Sequence, residues 1–340
     1  MTYEENDIKI VRQEMEEPIS LNKNEVLPIQ DRTQKQYRES DDEVRSDTEF
    51  LEIVAKIHTE NEITNKIFDE RGPFLFGTEV DTNKTVLKKS QMVENGATYF
   101  GYWNRESDER DGKGTMVWQD GSRYDGYWQE NKANGKGRLI HADGDVYEGD
   151  WQNDKANGKG AYTHQNGALY EGEWRDDKQH GFGVESWPDG AKYEGQYVDG
   201  KKHGVGLFKW ADGSEYYGAF VENAIQGKGL YKWADGRQYD GDWFNNKMHG
   251  LGNFSWSDGK KYTGDYVDDK KQGQGVLEWP DGRKYEGEWE NGKQNGRGIY
   301  TTAKGEKIEA EWVDGRKKRS LKSKTTSRDE PAMDEGENSL

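Results

Sequence analysis

From residue 99 to 315, apolar and polar side chains alternate in short runs, and the runs recur at a fixed interval. Tyr170-Glu171-Gly172-Glu173-Trp174 places Tyr, Gly and Trp on one side of an extended chain and two acids on the other. This period-two alternation predicts a strand. Leu230-Tyr231-Lys232-Trp233 alternates as well, with Tyr231 and Trp233 on a common face, and predicts the second strand of a hairpin. Asp-Gly or Asn-Gly, as in Asp212-Gly213, follows such strands and predicts a tight turn, because both residues tolerate positive φ. The Gly-containing stretch 176–183 is expected to close the other end of its hairpin as a loop.

With Tyr124 as position 1, Tyr147, Tyr170, Tyr193, Tyr216, Tyr239, Tyr262 and Tyr285 follow at intervals of 23 residues. Tyr99 opens an earlier unit that is two residues longer, and Ile308 opens a truncated last one. Position 3 is glycine in all nine full units, from Gly101 to Gly287, and position 5 is aromatic, from Trp103 to Trp289. A mid-strand glycine weakens a sheet unless its empty space is used. Here it lies between two aromatics on one face. That predicts a ring from a neighbouring strand lying over it, in a ladder whose pairs add about 0.5–1.5 kcal/mol each beyond area burial.

Units such as Tyr170-Glu171-Gly172-Glu173-Trp174, continuing to His180-Gly181-Phe182-Gly183 and Trp187-Pro188-Asp189-Gly190, resemble MORN repeats. The resemblance covers residues 99–315. Departures occur at Thr302, Lys304-Gly305 and Ala310, where the pattern fades, and Met92-Val93-Glu94-Asn95-Gly96 resembles a degenerate leading half-unit. The family implies an all-β, elongated, single-layer antiparallel sheet of stacked hairpins with no catalytic residues of its own. Members serve in ciliary radial spokes, in cytoskeletal scaffolds and in membrane tethers, and several form dimers.

The flanks have a different pattern. Residues 1–45 are expected to be a disordered acidic arm, 46–70 an amphipathic helix and 71–98 a linker with the degenerate half-repeat. Ser46 with Glu49 fits a capping box. Phe50, Val54 and Ile57, then Ile63 and Ile67, make an apolar face with a phase slip at 60–62. Such a helix either covers the sheet's exposed first edge or docks into a partner. Residues 316–340 are expected to be a disordered basic-then-acidic tail, and Arg316, Lys317, Lys318 and Arg319 are candidates for contact with an acidic surface.

Composition narrows the function. Only 31% of residues are hydrophobic, against 34% charged and 43 glycines, too little aliphatic material for an ordinary core of this length. With 13 Trp and 19 Tyr the chain is too aromatic for disorder, so neighbour-to-neighbour aromatic packing must supply the order. A net charge of −17 disfavours nucleic acid and bare anionic membrane. The chain has no Cys, which removes disulfides and thiolate metal sites. The first residues are acidic and lack an apolar stretch, so no leader peptide is expected and the setting reads as cytoplasmic or cytoskeletal.

Candidate chemistry is weak. His180, His203 and His249 share a repeat position, but equivalent residues two strands apart lie about 10 Å from each other, too far to share a zinc ion. Turn chemistry accounts for the Asp of each Asp-Gly without calcium. The Gly-Lys-Gly triplets lack a phosphate-loop context. No catalytic, cofactor or metal residue is expected. The half-repeat tryptophans Trp187, Trp210, Trp233, Trp256 and Trp279 are the candidate partner-binding anchors. These readings describe a non-enzymatic scaffold or docking module that binds other proteins of a cytoskeletal complex, the ciliary axoneme foremost. A lipid-binding membrane module is the alternative.

Overall fold

The structure, a computed structural model, describes residues 47–77 and 83–321. Among these are two α-helices, a short 3-10 turn and 21 strands, every observed pairing being antiparallel between neighbours in the chain. The expected arm 1–45, Ser46 and the tail from residue 322 lie outside the described residues. Two compact units divide the chain, one ending at Gln226 and the other beginning at Gly227.

In the first unit, strands β1 (Thr85–Met92) and β2 (Thr98–Asn104) form the leading hairpin, with Val86 opposite Trp103 and Leu87 opposite Tyr102. The half-unit at 92–96 is therefore the end of a paired strand and its turn, where Asn95 and Gly96 take positive φ. Hairpins β8 (Leu169–Arg175) with β9 (Lys178–Ser186), and β10 (Lys192–Val198) with β11 (Lys201–Lys209), show the repeat in its regular form. Gly172 faces Gly183 across the first hairpin and Gly195 faces Gly206 across the second. In the second unit, β14 (Gln238–Phe244) with β15 (Lys247–Ser255), and β16 (Lys261–Val267) with β17 (Lys270–Glu278), repeat that register.

The two turns of a unit are the reverse of the sequence reading. The two-residue turn joins the strands within a unit, at Asp176-Asp177 or Asn245-Asn246, where both residues have φ between +48° and +65°. This is the twist-compatible hairpin turn, and Asn and Asp adopt it at little cost. The stretch 176–183 is thus mostly strand. The Asp-Gly segment forms a longer connection, in which Trp187 N–H donates to Ala191 O and Gly190 N–H to Trp187 O, each at 3.0 Å. Asp189 Oδ1 accepts from Ala191 N at 2.9 Å, so this aspartate closes its own turn.

The expected single helix is two. Helix α1 (Asp47–Val54) ends before the phase slip, and α2 (Glu62–Arg71) begins at it, capped by Asn61, whose Oδ1 accepts from Ile63 N at 2.9 Å and Thr64 N at 3.1 Å. Both lie against a face of the sheet rather than its edge. Phe50 and Val54 are completely buried on Leu87, Phe100 and Tyr102, and Phe68 packs on Ile140 and Val146. The sheet also continues past residue 315. Asp314-Gly315 makes one more positive-φ turn, and β21 (Arg316–Ser320) pairs with β20 (Lys307–Val313). The first five residues of the expected tail are therefore strand.

Candidate functional site: the aromatic face

Positions 1, 3 and 5 of each repeat build one face of the sheet, with the residues paired opposite them on the second strand. Tyr193 of β10 bends over its own Gly195 and across to Gly206 of β11, because its hydroxyl donates to the Gln196 carbonyl at 3.0 Å. The same three-residue hydrogen bond recurs at Tyr124, Tyr147, Tyr170, Tyr239, Tyr262 and Tyr285, at 2.9–3.1 Å. The ring over the position-3 glycine thus comes from the glycine's own strand, two residues earlier, and not from a neighbour as the alternation suggests. The neighbouring strand supplies the second glycine beneath the ring.

Each tyrosine also stands edge-on between two position-5 rings. Tyr147 meets Trp151 and Trp174, both at 5.1 Å between centroids. Tyr262 meets Tyr266 at 5.3 Å and Trp289 at 5.1 Å. These T-shaped contacts form the expected ladder within each unit. Tryptophan adds a hydrogen bond back to the preceding repeat, as Trp174 Nε1 to Gly160 O at 3.1 Å and Trp289 Nε1 to Gly275 O at 3.1 Å. Trp103 and Trp312 have buried Nε1 groups without such an acceptor among the described residues. Burial raises the tyrosine hydroxyls above their ordinary pKa, with nearby carboxylates adding to the effect, and Tyr285 is pushed up to about 12.

In each compact unit the candidate anchors lie on this face beside the ladder and are not consumed by it. Trp187, Trp210, Trp233, Trp256 and Trp279 are all half-buried. Trp187 stacks on Phe208 at 5.6 Å, Trp256 lies tilted against Phe254 at 4.4 Å, and Trp279 meets Tyr300 at 6.4 Å. Cations lie over them: Arg237 over Trp233 at 5.2 Å, Lys260 over Trp256 at 4.6 Å and Arg283 over Trp279 at 5.3 Å. In the second unit the row opens into a concavity of about 250 Å³ beside Trp256, Tyr266 and Lys271.

Positions 2 and 4, with their cross-strand partners, form the opposite face, and on the first compact unit the N-terminal helices cover part of it. Arg123 and Asp125 are almost wholly buried there as an ion pair, with Arg123 Nε 2.7 Å from Asp125 Oδ2. Thr115 Oγ1 donates to Asp125 at 2.6 Å, and Arg123 donates to the carbonyls of Val54 and Ile57 beneath the Phe68 ring. Arg138 bonds to Gly72 O at 2.7 Å and Arg71 to Thr163 Oγ1 at 3.0 Å. Phe50, Val54 and the half-buried Ile57 therefore pack against the chain's own sheet. The other flank candidates, Arg316, Lys317, Lys318 and Arg319, are all exposed on β21. Nothing in the alternation pattern distinguished Arg123 and Asp125 from the solvated charges of other units.

Among the described residues no cluster of His, Asp and Glu is placed to hold a metal ion. His249 Nδ1 lies 4.0 Å from Asp268, at an exposed turn. No helix among the described residues is long and apolar enough to cross a membrane.

An open antiparallel sheet built from one recurring hairpin, with rings on one face and charges on the other, is the architecture of a β-repeat protein. The chain belongs to the MORN repeat family, whose model matches 99–123, 124–146, 147–169, 170–192, 193–215, 216–236, 239–261, 262–282 and 285–307. No curated protein matches significantly. Among solved structures, the chain is similar to the TCP10 domain of Danio rerio CPAP in complex with a STIL peptide. The identity is 11%, covering 69% of this chain and 99% of that one, with a TM-score of 0.38. The Drosophila melanogaster SAS-4 TCP domain, in complex with a proline-rich motif of Ana2, is 12% identical over 64% of this chain and 99% of that one, with a TM-score of 0.27. Family and fold together point to a structural, non-catalytic protein.

Proposed function

We propose that the chain is a protein-docking scaffold of a cytoskeletal assembly, with the aromatic face as its docking surface. One observation carries this reading: Trp187 and Trp210 in the first compact unit, and Trp233, Trp256 and Trp279 in the second, are half-buried and lie outside the ring ladder. Rigid half-exposed aromatics on a preorganised sheet bind a polypeptide with little further ordering. A place in the ciliary axoneme, and association with a second copy, accord with the roles of other family members. The test is photo-crosslinking from the aromatic face in the native cell, with binding of the captured partner then measured on purified chains. Trp233→Ala and Trp256→Ala should weaken that binding about tenfold or more while the fold is retained. Crosslinks confined to the opposite face would remove this reading.

The exposed bases of β21 favour a second reading, a peripheral membrane module. Flotation with anionic vesicles that depends on the repeats, and not only on Arg316–Ser320, would support it. The net charge of −17 opposes it.

A further inference from the structure

Lys202 and Lys271 occupy the same repeat position, opposite Tyr197 and Tyr266 respectively. Both ammonium groups stand over three rings. Lys202 lies 5.0 Å from Trp187, 5.0 Å from Tyr193 and 5.5 Å from Tyr197, and Lys271 lies 4.9 Å from Trp256, 5.0 Å from Tyr262 and 5.2 Å from Trp289. The third ring differs, Tyr197 against Trp289, and so does the charge beside the ammonium group. Lys202 Nζ is 2.6 Å from Glu185 Oε2, and the same oxygen accepts from the Tyr197 hydroxyl at 2.9 Å. Glu185 faces Tyr193 across the sheet, and the residue that faces Tyr262 in its place is Phe254.

Lys271 is therefore an enclosed cation without the carboxylate its counterpart has. Asp269, nearby, accepts from Met248 N at 2.8 Å, and Lys260 adds a second positive charge over Trp256. The concavity of about 250 Å³ opens at this point, its lining including Phe254, Trp256, Tyr266 and Lys271 together with Arg237 and Asp269. Burial and the Lys260 charge bring the Lys271 pKa down to about 8, as expected of a lysine without a counter-ion.

We propose that this concavity is a subsite for a glutamate or aspartate side chain of a docked polypeptide, its carboxylate bound by Lys271 Nζ and the Tyr266 hydroxyl as Glu185 is bound by Lys202 and Tyr197. The proposal rests on the docking reading of the aromatic face and adds a charge preference to it. A peptide side chain reaches a ring-lined concavity, whereas a vesicle surface meets the whole acidic chain.

The test is a titration of the full-length chain, at low salt, with acetyl-hexaglutamate amide and acetyl-hexaglutamine amide, and separately with phosphatidylserine vesicles. Hexaglutamate should bind about tenfold more tightly than hexaglutamine. Lys271→Met should remove that preference. Lys202→Met, which removes the same charge from a paired lysine, should preserve it. Phe254→Glu, which supplies an internal carboxylate, should abolish it by a second route. Equal binding of the two peptides would overturn the proposal, as would equal losses from the two lysine variants. So would Lys271-dependent vesicle binding without peptide binding. A crosslinked aromatic-face partner indifferent to Lys271→Met would leave the docking scaffold in place and remove only this subsite.

Discussion

A Cβ built on Gly206 would fall 2.5 Å from the Tyr193 hydroxyl, so the tyrosine occupies the volume in which any other side chain would stand. Gly195 is as confined, with Tyr193 Oη at 2.5 Å and Gly206 Cα at 2.6 Å. Gly195→Val should destabilise its repeats by about 3 kcal/mol or more, because backbone as well as ring must move. Lys201→Ala, at an exposed pair with Glu222, should change stability by about 0.5 kcal/mol or less. Denaturant melts compare the two, and equal midpoints would contradict the packing described for Tyr193.

Arg123→Met should leave Asp125 buried and without its cation, a loss of about 3–5 kcal/mol. Because Arg123 also bonds to Val54 O and Ile57 O, the helices should loosen first. Hydrogen exchange in α1 should rise well before exchange in β14 or β16. Replacing Asp125 with leucine in the same chain should recover part of the loss.

Trp289→Phe retains an edge-on ring between Tyr262 and Tyr285 but loses the hydrogen bond to Gly275 O. The expected cost is about 1 kcal/mol. Tyr266 and Phe220 already occupy this repeat position with rings alone, so the ladder tolerates the change. Trp289→Ala opens a gap in the ladder and should cost about 3–5 kcal/mol.

Two sets of groups set the alkaline behaviour. The folded-state pKa of Lys271, about 8, lies below its ordinary 10.5, so between these values the unfolded chain binds more protons and stability rises with pH. The gain should be about 1–2 kcal/mol after solvent screening, and Lys271→Met should remove it. The ladder tyrosines act in the opposite sense. Their folded pKa values are raised above 10, so their contribution is complete below pH 10 and is lost as pH rises through the folded values. Melts from pH 7 to 12 should show a shallow rise and then a steep fall.

The strands and the aromatic face were legible because Tyr, Gly and Trp recur at positions whose parity a strand preserves. The source of the ring over each glycine was not, since alternation assigns a side chain to a face without giving its direction along the strand. A hydroxyl reaching the carbonyl three residues on, as in Tyr239 and Asp242, sets that direction. Turn assignment failed because Asp-Gly is the familiar hairpin signal, while Asn245-Asn246 at the other end takes the two positive φ values. Arg123 and Asp125 were indistinguishable from surface charges until the helices covered them. The Lys271 concavity did leave a trace: Phe254 stands where the Lys202 repeat has Glu185.

Every wall in the row of rings is the same wall. Excising residues 262–284 would bring Trp289 against Tyr239 in place of Tyr266, and its indole N–H to the Gly252 carbonyl in place of that of Gly275. No new kind of contact is created by the deletion, and none is left half made. Reach can therefore be altered by gene duplication or loss in whole steps, while each surviving step retains its own side-chain character for whatever it holds.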